Sequence, residues 1–202
     1  VASTVSIGHK GTLRGTGSIE AGLFSAGTVM PGNSPGTLFV KGPVRFGGTS
    51  RFVLDIDGTG TGNGAGNYSR LVAQTASGHV TVDGRIGPVL RGIAGDASNS
   101  FAPVTGTAFQ VLVAEGGLSG SFTGLDQPAN GLPANARFDA LYGATGLSLI
   151  VTPGSYAALA GLNGNASSVA RALDSVRPAA GTRPDAARQE VFDALYTSAP
   201  GT

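Results

Sequence analysis

Short runs in which hydrophobic and polar residues alternate fill the chain up to about residue 153. In the run 50–57, Phe52, Leu54 and Ile56 occupy every second position. A period of two places such residues on one face of a β-strand, so the run predicts a strand with one buried face. Gly, Asn, Asp, Ser and Pro separate the runs, which predicts turns between short strands. Similar runs cover 37–46, 69–73, 79–86, 108–114, 136–142 and 146–152.

The inward positions of these strands form the predicted core. Burial of one Leu or Phe side chain contributes roughly 1.5–3 kcal/mol. Asp55 and Asp57 alternate with the apolar residues of 50–57 and are expected to point outward as exposed carboxylates at the end of the strand. The large residues that we assign to the core are Leu38, Phe46, Phe52, Leu54, Leu112 and Phe122.

The pattern changes after Pro153, where apolar residues recur at helical spacings of three and four. Asn165 is the predicted N-cap of a first helix that ends before Pro178, and Pro184 lies near the start of a second helix. We therefore divide the chain into a β region, 1–153, and a helical region, 154–202, whose narrow apolar stripes need a partner surface. The stripes comprise Val169, Leu173 and Val176 in the first helix and Ala187, Val191 and Leu195 in the second.

Composition agrees with strands and turns. Of 202 residues, 34 are Gly, 41% are hydrophobic and only 12% are charged, which is typical neither of a helical bundle nor of a disordered segment. The net charge is +1 without a basic cluster, so no nucleic-acid partner is expected. The absence of Cys excludes disulfides, thiolate metal sites and a Cys nucleophile.

Two features bear on the context of the chain. No apolar run approaches the roughly 18 residues of a membrane-spanning helix, so no membrane span is expected. The sequence begins at Val1 without an initiator Met or a signal peptide, and we expect it to be a piece of a longer protein.

The strands are closely spaced, which leaves a sandwich, a barrel or a solenoid as architectures. The phrase Gly-Thr followed by an apolar residue recurs at 11–13, 27–29, 36–38 and 106–108. This repetition and the low charge favour a solenoid, in which similar strands stack on one another.

The stretch "GNSPG" at 32–36 matches the nucleophile-elbow pattern of serine hydrolases, and Asp55 and His79 follow in the hydrolase order. That pattern requires the backbone N–H of the residue after the Ser as an oxyanion donor, and Pro35 has none. A strand-like run rather than a helix follows. His79 is expected to be a surface residue. We therefore predict no catalytic residue here and interpret the stretch as a turn, with Pro31, Gly32, Asn33, Ser34, Pro35 and Gly36 in structural roles.

Other chemical interpretations of the chain are weaker. "DIDGTGTGNG" resembles a calcium loop, but Val53 and Gly64 stand where two ligands are needed. The glycines of 58–66 resemble a phosphate loop, but no helix or Lys-Ser/Thr follows. No metal or cofactor is therefore expected. A polysaccharide lyase or hydrolase would need paired acids, for which the candidates are Asp55, Asp57, Asp83 and Asp96.

The chain resembles the C-terminal passenger region of Gram-negative type V autotransporters over about residues 11–196. The most specific part is "PGNSPGTL" at 31–38, and "YSRLV" at 68–72 takes the place of a later family motif. "TAFQVLVAEGGLSGSFTGL" at 107–125 is similar to a late strand pair of the family. "LSLIVTP" and "NASSVARALDSV" resemble the junction toward the translocator.

The resemblance implies a right-handed parallel β-helix with a C-terminal cap and short helices. It implies a non-enzymatic autochaperone stem that promotes folding and secretion of the passenger. Its partners would be the remaining passenger coils and the protein's own outer-membrane β-barrel, at the cell surface. An adhesin that binds a host surface ligand through loops 58–68 or 92–106 is the alternative, and a serine esterase or polysaccharide-active enzyme is the second.

Overall fold

A computed structural model describes residues 3–198. The prediction of an all-β chain with two short C-terminal helices is confirmed: eighteen strands precede the helices in these residues. None of the helices in this range is long and apolar enough to cross a membrane.

Three parallel sheets carry most of the strands, and consecutive strands enter the three sheets in turn. The first sheet orders β1 (Thr4–Ile7), β4 (Gly22–Ser25), β7 (Val44–Phe46), β12 (Val80–Val82) and β15 (Leu118–Gly120). The second orders β2 (Thr12–Gly15), β5 (Thr28–Pro31), β8 (Arg51–Asp55), β13 (Arg85–Val89) and β16 (Gly124–Leu125). The third begins with β3 (Gly17–Ile19), β6 (Thr37–Val40), β11 (Arg70–Ala73) and β14 (Ala108–Ala114).

An antiparallel hairpin extends the third sheet beyond β14. It consists of β17 (Ala136–Tyr142) and β18 (Gly146–Pro153), and β18 pairs with both β14 and β17. A small two-stranded sheet of β9 (Gly58–Gly60) and β10 (Gly66–Asn67) interrupts the series of parallel strands.

The parallel register stacks like residues in columns across neighbouring strands. Leu23 faces Val44, Val44 faces Val80, and Val80 faces Leu118. In β8, Phe52 and Leu54 are completely buried, as the period-two pattern predicts. The other predicted core residues, Leu38, Phe46, Leu112 and Phe122, are also buried.

Aromatic rings fill the interior in two groups. Phe46, Phe52 and Phe122 contact one another, with ring centroids 5.1 to 6.2 Å apart. Phe109 contacts the rings of Tyr68, Phe101 and Phe138 at 5.4 to 6.1 Å. Tilted and edge-on pairs at these distances add to the free energy of burial.

The helices pack against the outer side of the hairpin. α1 (Gly164–Val176) and α2 (Ala186–Thr197) form a second small core with Ile150 and Tyr156. The predicted N-cap Asn165 is wrong: the side chain of Asn163 accepts a hydrogen bond from Ala166 N and caps α1. The cap lies two residues earlier because Asn163 is the last residue with extended backbone.

The predicted apolar stripes of the helices are partly wrong. Val169, Val176 and Val191 are exposed, at 59%, 48% and 45%. Ala170, Phe192 and Tyr196 are buried instead. In α2, Phe192 and Tyr196 are four residues apart and present more apolar area than Val191, so their face turns toward the hairpin.

Replacement of Phe52 by Ala should lower the free energy of unfolding by about 3–5 kcal/mol, because it leaves a cavity between Phe46 and Phe122. Urea unfolding followed by circular dichroism measures the change. Phe24→Ala is the matched control. Phe24 is 36% exposed, so its replacement should lower the free energy of unfolding far less. Equal losses in the two variants would contradict the assigned core.

Candidate functional site

The stretch 31–36 forms a tight corner between β5 and β6. Gly32 has a φ of +96°, and a Cβ at Gly32 would lie 2.2 Å from the nitrogen of Gly36, so the corner closes on itself only with glycine there. Ser34 has no exposed surface, and of the six residues only Asn33 is exposed. The corner is therefore a packed turn with its hydroxyl facing inward.

Arg14 and Asp55 surround the Ser34 hydroxyl. A guanidinium nitrogen of Arg14 donates a hydrogen bond to Ser34 Oγ. Gly95 lies against the other side, where an added Cβ would be 3.2 Å from the Ser34 Cβ. Burial raises the pKa of Asp55, and the hydrogen bond with Ser34 and the charge of Arg14 offset this only in part. The cluster joins β2, the corner and the end of β8.

The expectation that Asp55 and Asp57 are exposed carboxylates is wrong. Their exposed fractions are 7% and 2%. Both alternate along the sequence with the inward residues Leu54 and Ile56, as expected. The corner and the segment 90–107, which follows β13, cover the end of this face at Asp55 and Asp57. Tertiary contacts therefore bury the end of a face that period two predicts to be solvated, while Arg51 on the same face stays exposed.

Asp57 holds the segment 90–107 in place. Its carboxylate accepts hydrogen bonds from Ser98 N at 2.7 Å, Ser98 Oγ at 2.8 Å and Asn99 N at 2.7 Å, with Gly66 N at 3.4 Å. Burial acts to raise the pKa of Asp57, but these hydrogen bonds outweigh it and hold the pKa below its ordinary value. Because both oxygens accept protein donors, this carboxylate is engaged as an anchor for the segment.

Asn67 occupies the centre of the glycine loop 58–67. Its amide nitrogen donates to the carbonyl oxygens of Asn63, Gly64 and Ala65 at 3.0 to 3.2 Å, and its amide oxygen accepts from Gly62 N at 2.7 Å. A phosphate loop instead turns several backbone N–H groups toward its centre. Here three carbonyl oxygens converge, so the loop has the wrong polarity for a phosphate.

The remaining candidate groups lie apart from the cluster. Asp83 accepts a hydrogen bond from Gly84 N, Asp96 is exposed in the segment 90–107, and His79 is exposed next to β12 of the first sheet. Within residues 3–198, no three His, Asp or Glu side chains converge as a metal site would require.

A second buried cluster fixes the helices to the hairpin. Asp139 in β17 accepts hydrogen bonds from Arg137 at 2.6 Å, from Thr152 at 2.7 Å and from Arg177, which follows α1. The Arg177 and Asp139 side chains are both 3% exposed, and the Arg177 guanidinium stacks on Tyr156 at 4.7 Å. Sequence analysis missed this cluster because its members are 2 to 38 residues apart and form no motif.

Further contacts hold the segment between the two helices against the β region. The Tyr142 hydroxyl donates to Gly181 O at 2.6 Å and accepts from Phe122 N at 2.9 Å. Arg183 stacks on the Tyr142 ring at 4.5 Å. The helical region is thus anchored through buried polar contacts at two places.

No model of a known protein family matches the chain, and comparison with curated proteins gives no significant match.

Asp57→Asn should lower the free energy of unfolding by about 1.5–3 kcal/mol at pH 7. The amide of Asn has only one acceptor oxygen, whereas the carboxylate has two for the N–H groups of Ser98 and Asn99. The folded pKa of Asp57 is lowered, so its contribution is present above the ordinary value of 3.8 and is lost as the pH falls through the lowered one. The difference in the free energy of unfolding between the variant and the wild type should therefore decrease in acid.

Asp55→Asn is the matched control, two residues away. The folded pKa of Asp55 is raised, so the stability of the wild type relative to this variant falls as the pH rises through that pKa. The variant should be neutral or stabilising at pH 7. Urea unfolding at several pH values tests both substitutions, and similar losses in the two at pH 7 would refute the different roles assigned to these carboxylates.

Proposed function

We propose that the chain is a right-handed parallel β-helix and the C-terminal stem of an autotransporter passenger, in which it promotes folding and secretion at the cell surface, a role that requires no catalysis. The observation that carries the proposal is the pairing of each parallel strand with the strand at the same place in the next unit of three. A chain that visits three sheets in turn and stacks like side chains in columns is the pattern of a solenoid.

The two ends of the stack differ. At one end the hairpin β17–β18, α1 and α2 cover the last parallel strands. At the other end β1, β2 and β3 are the outermost strands of all three sheets within residues 3–198. Ile7, Leu13 and Ile19 of these strands are only partly buried. An end with unpaired backbone groups and accessible apolar residues is suited to receive a further unit.

The direction of the backbone groups supports this role. The carbonyl oxygens of Ser3 and Ile7 accept from Gly22 N and Ala26 N on the β4 side. In a parallel strand the N–H and C=O groups of one residue point to one side, and those of the next residue point to the other side. Because Ile7 points toward β4, the N–H and C=O groups of Ser6 point toward the open edge. In the proposed mechanism these groups template an incoming strand, and the covered end prevents growth in the other direction.

Ser6→Pro tests the proposal, because proline removes an N–H of the open edge and is tolerated in an edge strand. In the parent protein the variant should lower surface display, measured by antibody labelling of intact cells. Ser6→Ala keeps the N–H and is the matched control with normal display. The isolated chain should unfold at the same urea concentration in both variants, which places the defect at the edge. Equal display would refute edge templating, and a gene without a translocator barrel would refute the family.

A groove on the second sheet favours a binding module as the second candidate. It has a volume of about 290 Å³ and lies between the outer face of β8 and β13 and the segment 126–130. Val53, Pro88 and Val89 provide apolar surface, while Arg51 and Asp126 form an ion pair at 2.6 Å on its rim. An apolar floor with a few polar groups is typical of small ligand sites.

A screen of glycans and host surface proteins against the isolated chain tests this second candidate. Val53→Arg fills the groove and should abolish any binding that uses it. Val5→Arg, at an exposed valine of the first sheet, is the control and should leave binding unchanged. Binding that survives Val53→Arg would place the ligand elsewhere, and a screen without a ligand would count against this function.

A further inference from the structure

His79 and Ser119 meet on the outer face of the first sheet. His79 directly precedes β12, and Ser119 lies in β15, the next strand of that sheet. Parallel pairing sets Thr81 opposite Ser119, and the Nε2 atom of His79 lies 2.8 Å from Ser119 Oγ. Forty residues separate the two in the sequence, so only the stacking of units brings them together.

The surroundings of the imidazole determine which nitrogen carries the proton. His79 Nδ1 lies 3.2 Å from the carbonyl oxygen of Gly116. A carbonyl oxygen only accepts hydrogen bonds, so Nδ1 carries the proton and donates it to this contact. In the neutral ring Nε2 is then unprotonated and accepts the hydrogen bond of the Ser119 hydroxyl. Thr81 Oγ1 lies 3.2 Å from Ser119 Oγ and donates a hydrogen bond to it, which completes the series of hydrogen bonds.

Three glycines shape this arrangement. A Cβ at Gly116 would lie 2.7 Å from His79 N, and a Cβ at Gly117 would lie 3.3 Å from His79 Nδ1, so these positions leave the space that the histidine occupies. Gly120 follows Ser119 and carries the N–H that a serine nucleophile needs on the next residue. The corner serine Ser34 lacks this group, because Pro35 follows it.

We propose that Ser119 is a surface nucleophile with His79 as its general base, and that it reacts with small activated esters. A nucleophile within hydrogen-bond reach of a base that a third group orients is the arrangement of serine acyl transfer. His79 is exposed and Ser119 is partly exposed, so a small ester reaches both. This activity goes beyond the scaffold function and does not depend on it.

The reaction balances without a further reagent. Ser119 Oγ attacks the ester carbonyl carbon while His79 Nε2 takes the hydroxyl proton. The C–O bond of the ester then breaks, and the leaving alcohol takes that proton from the imidazolium. The acyl group remains on Ser119 until water attacks it while the same imidazole takes the water proton. The bond between the acyl carbon and Ser119 Oγ then breaks, the imidazolium returns the proton to Oγ, and the acid is released.

Acetylation by p-nitrophenyl acetate tests the proposal on the intact chain. Mass spectrometry of the wild type should find an acetyl group on Ser119. Ser119→Ala should lose this label. His79→Gln should form it about a hundredfold more slowly or worse, since general bases contribute roughly that factor.

Ser77→Ala is the matched control, because Ser77 is an exposed serine that bonds Thr75 and not an imidazole. It should be labelled at Ser119 at the wild-type rate. Urea unfolding of each variant establishes that it is folded, and the position of the label in the wild type requires no variant. Acetylation confined to lysines or histidines, or an unchanged Ser119 rate in His79→Gln, would overturn the proposal.

Discussion

Backbone pairing between neighbouring parallel strands sets the register in which the core packs. Each parallel strand must match the strands on both sides, and a shift by one residue would turn every inward side chain outward. The columns that contain Val44 and Val80, and the ring contacts of Phe46, Phe52 and Phe122, follow from this register. The core therefore depends on the pairing of each strand with its neighbours.

Irregular segments cover part of the outer faces of the sheets, and the polar groups beneath them need hydrogen-bond partners. The segment 90–107 lies over the end of β8 and would bury polar groups at a cost of several kcal/mol without partners. Asp57 supplies a partner for Ser98 and Asn99, and Arg14 and Ser34 lie beside Asp55. The buried polar atoms of this region thus anchor irregular segments to regular ones, which suits a scaffold.

The same principle operates at the covered end. Asp139 accepts hydrogen bonds from Arg137, Thr152 and Arg177, and so fixes the helices on the last hairpin. Breaking a buried ion pair leaves an uncompensated charge, so moving Arg177 away from Asp139 would be strongly destabilising. At the other end, β1, β2 and β3 each pair on one side only within residues 3–198. This asymmetry supports the proposed role as a stem on which further units are built.

Alternation and helical spacing are local properties that each segment carries alone, so the strands, the core face and the two helices could be predicted from the sequence. Pro35, which lacks an N–H in any fold, also argues against a nucleophile at Ser34. The burial of Asp55 and Asp57, the exposure of Val169 and Val176, and the contact of His79 with Ser119 could not be predicted in this way. The physical reason is that these outcomes depend on which segment covers which face, and residues about 40 positions apart in the chain determine that contact.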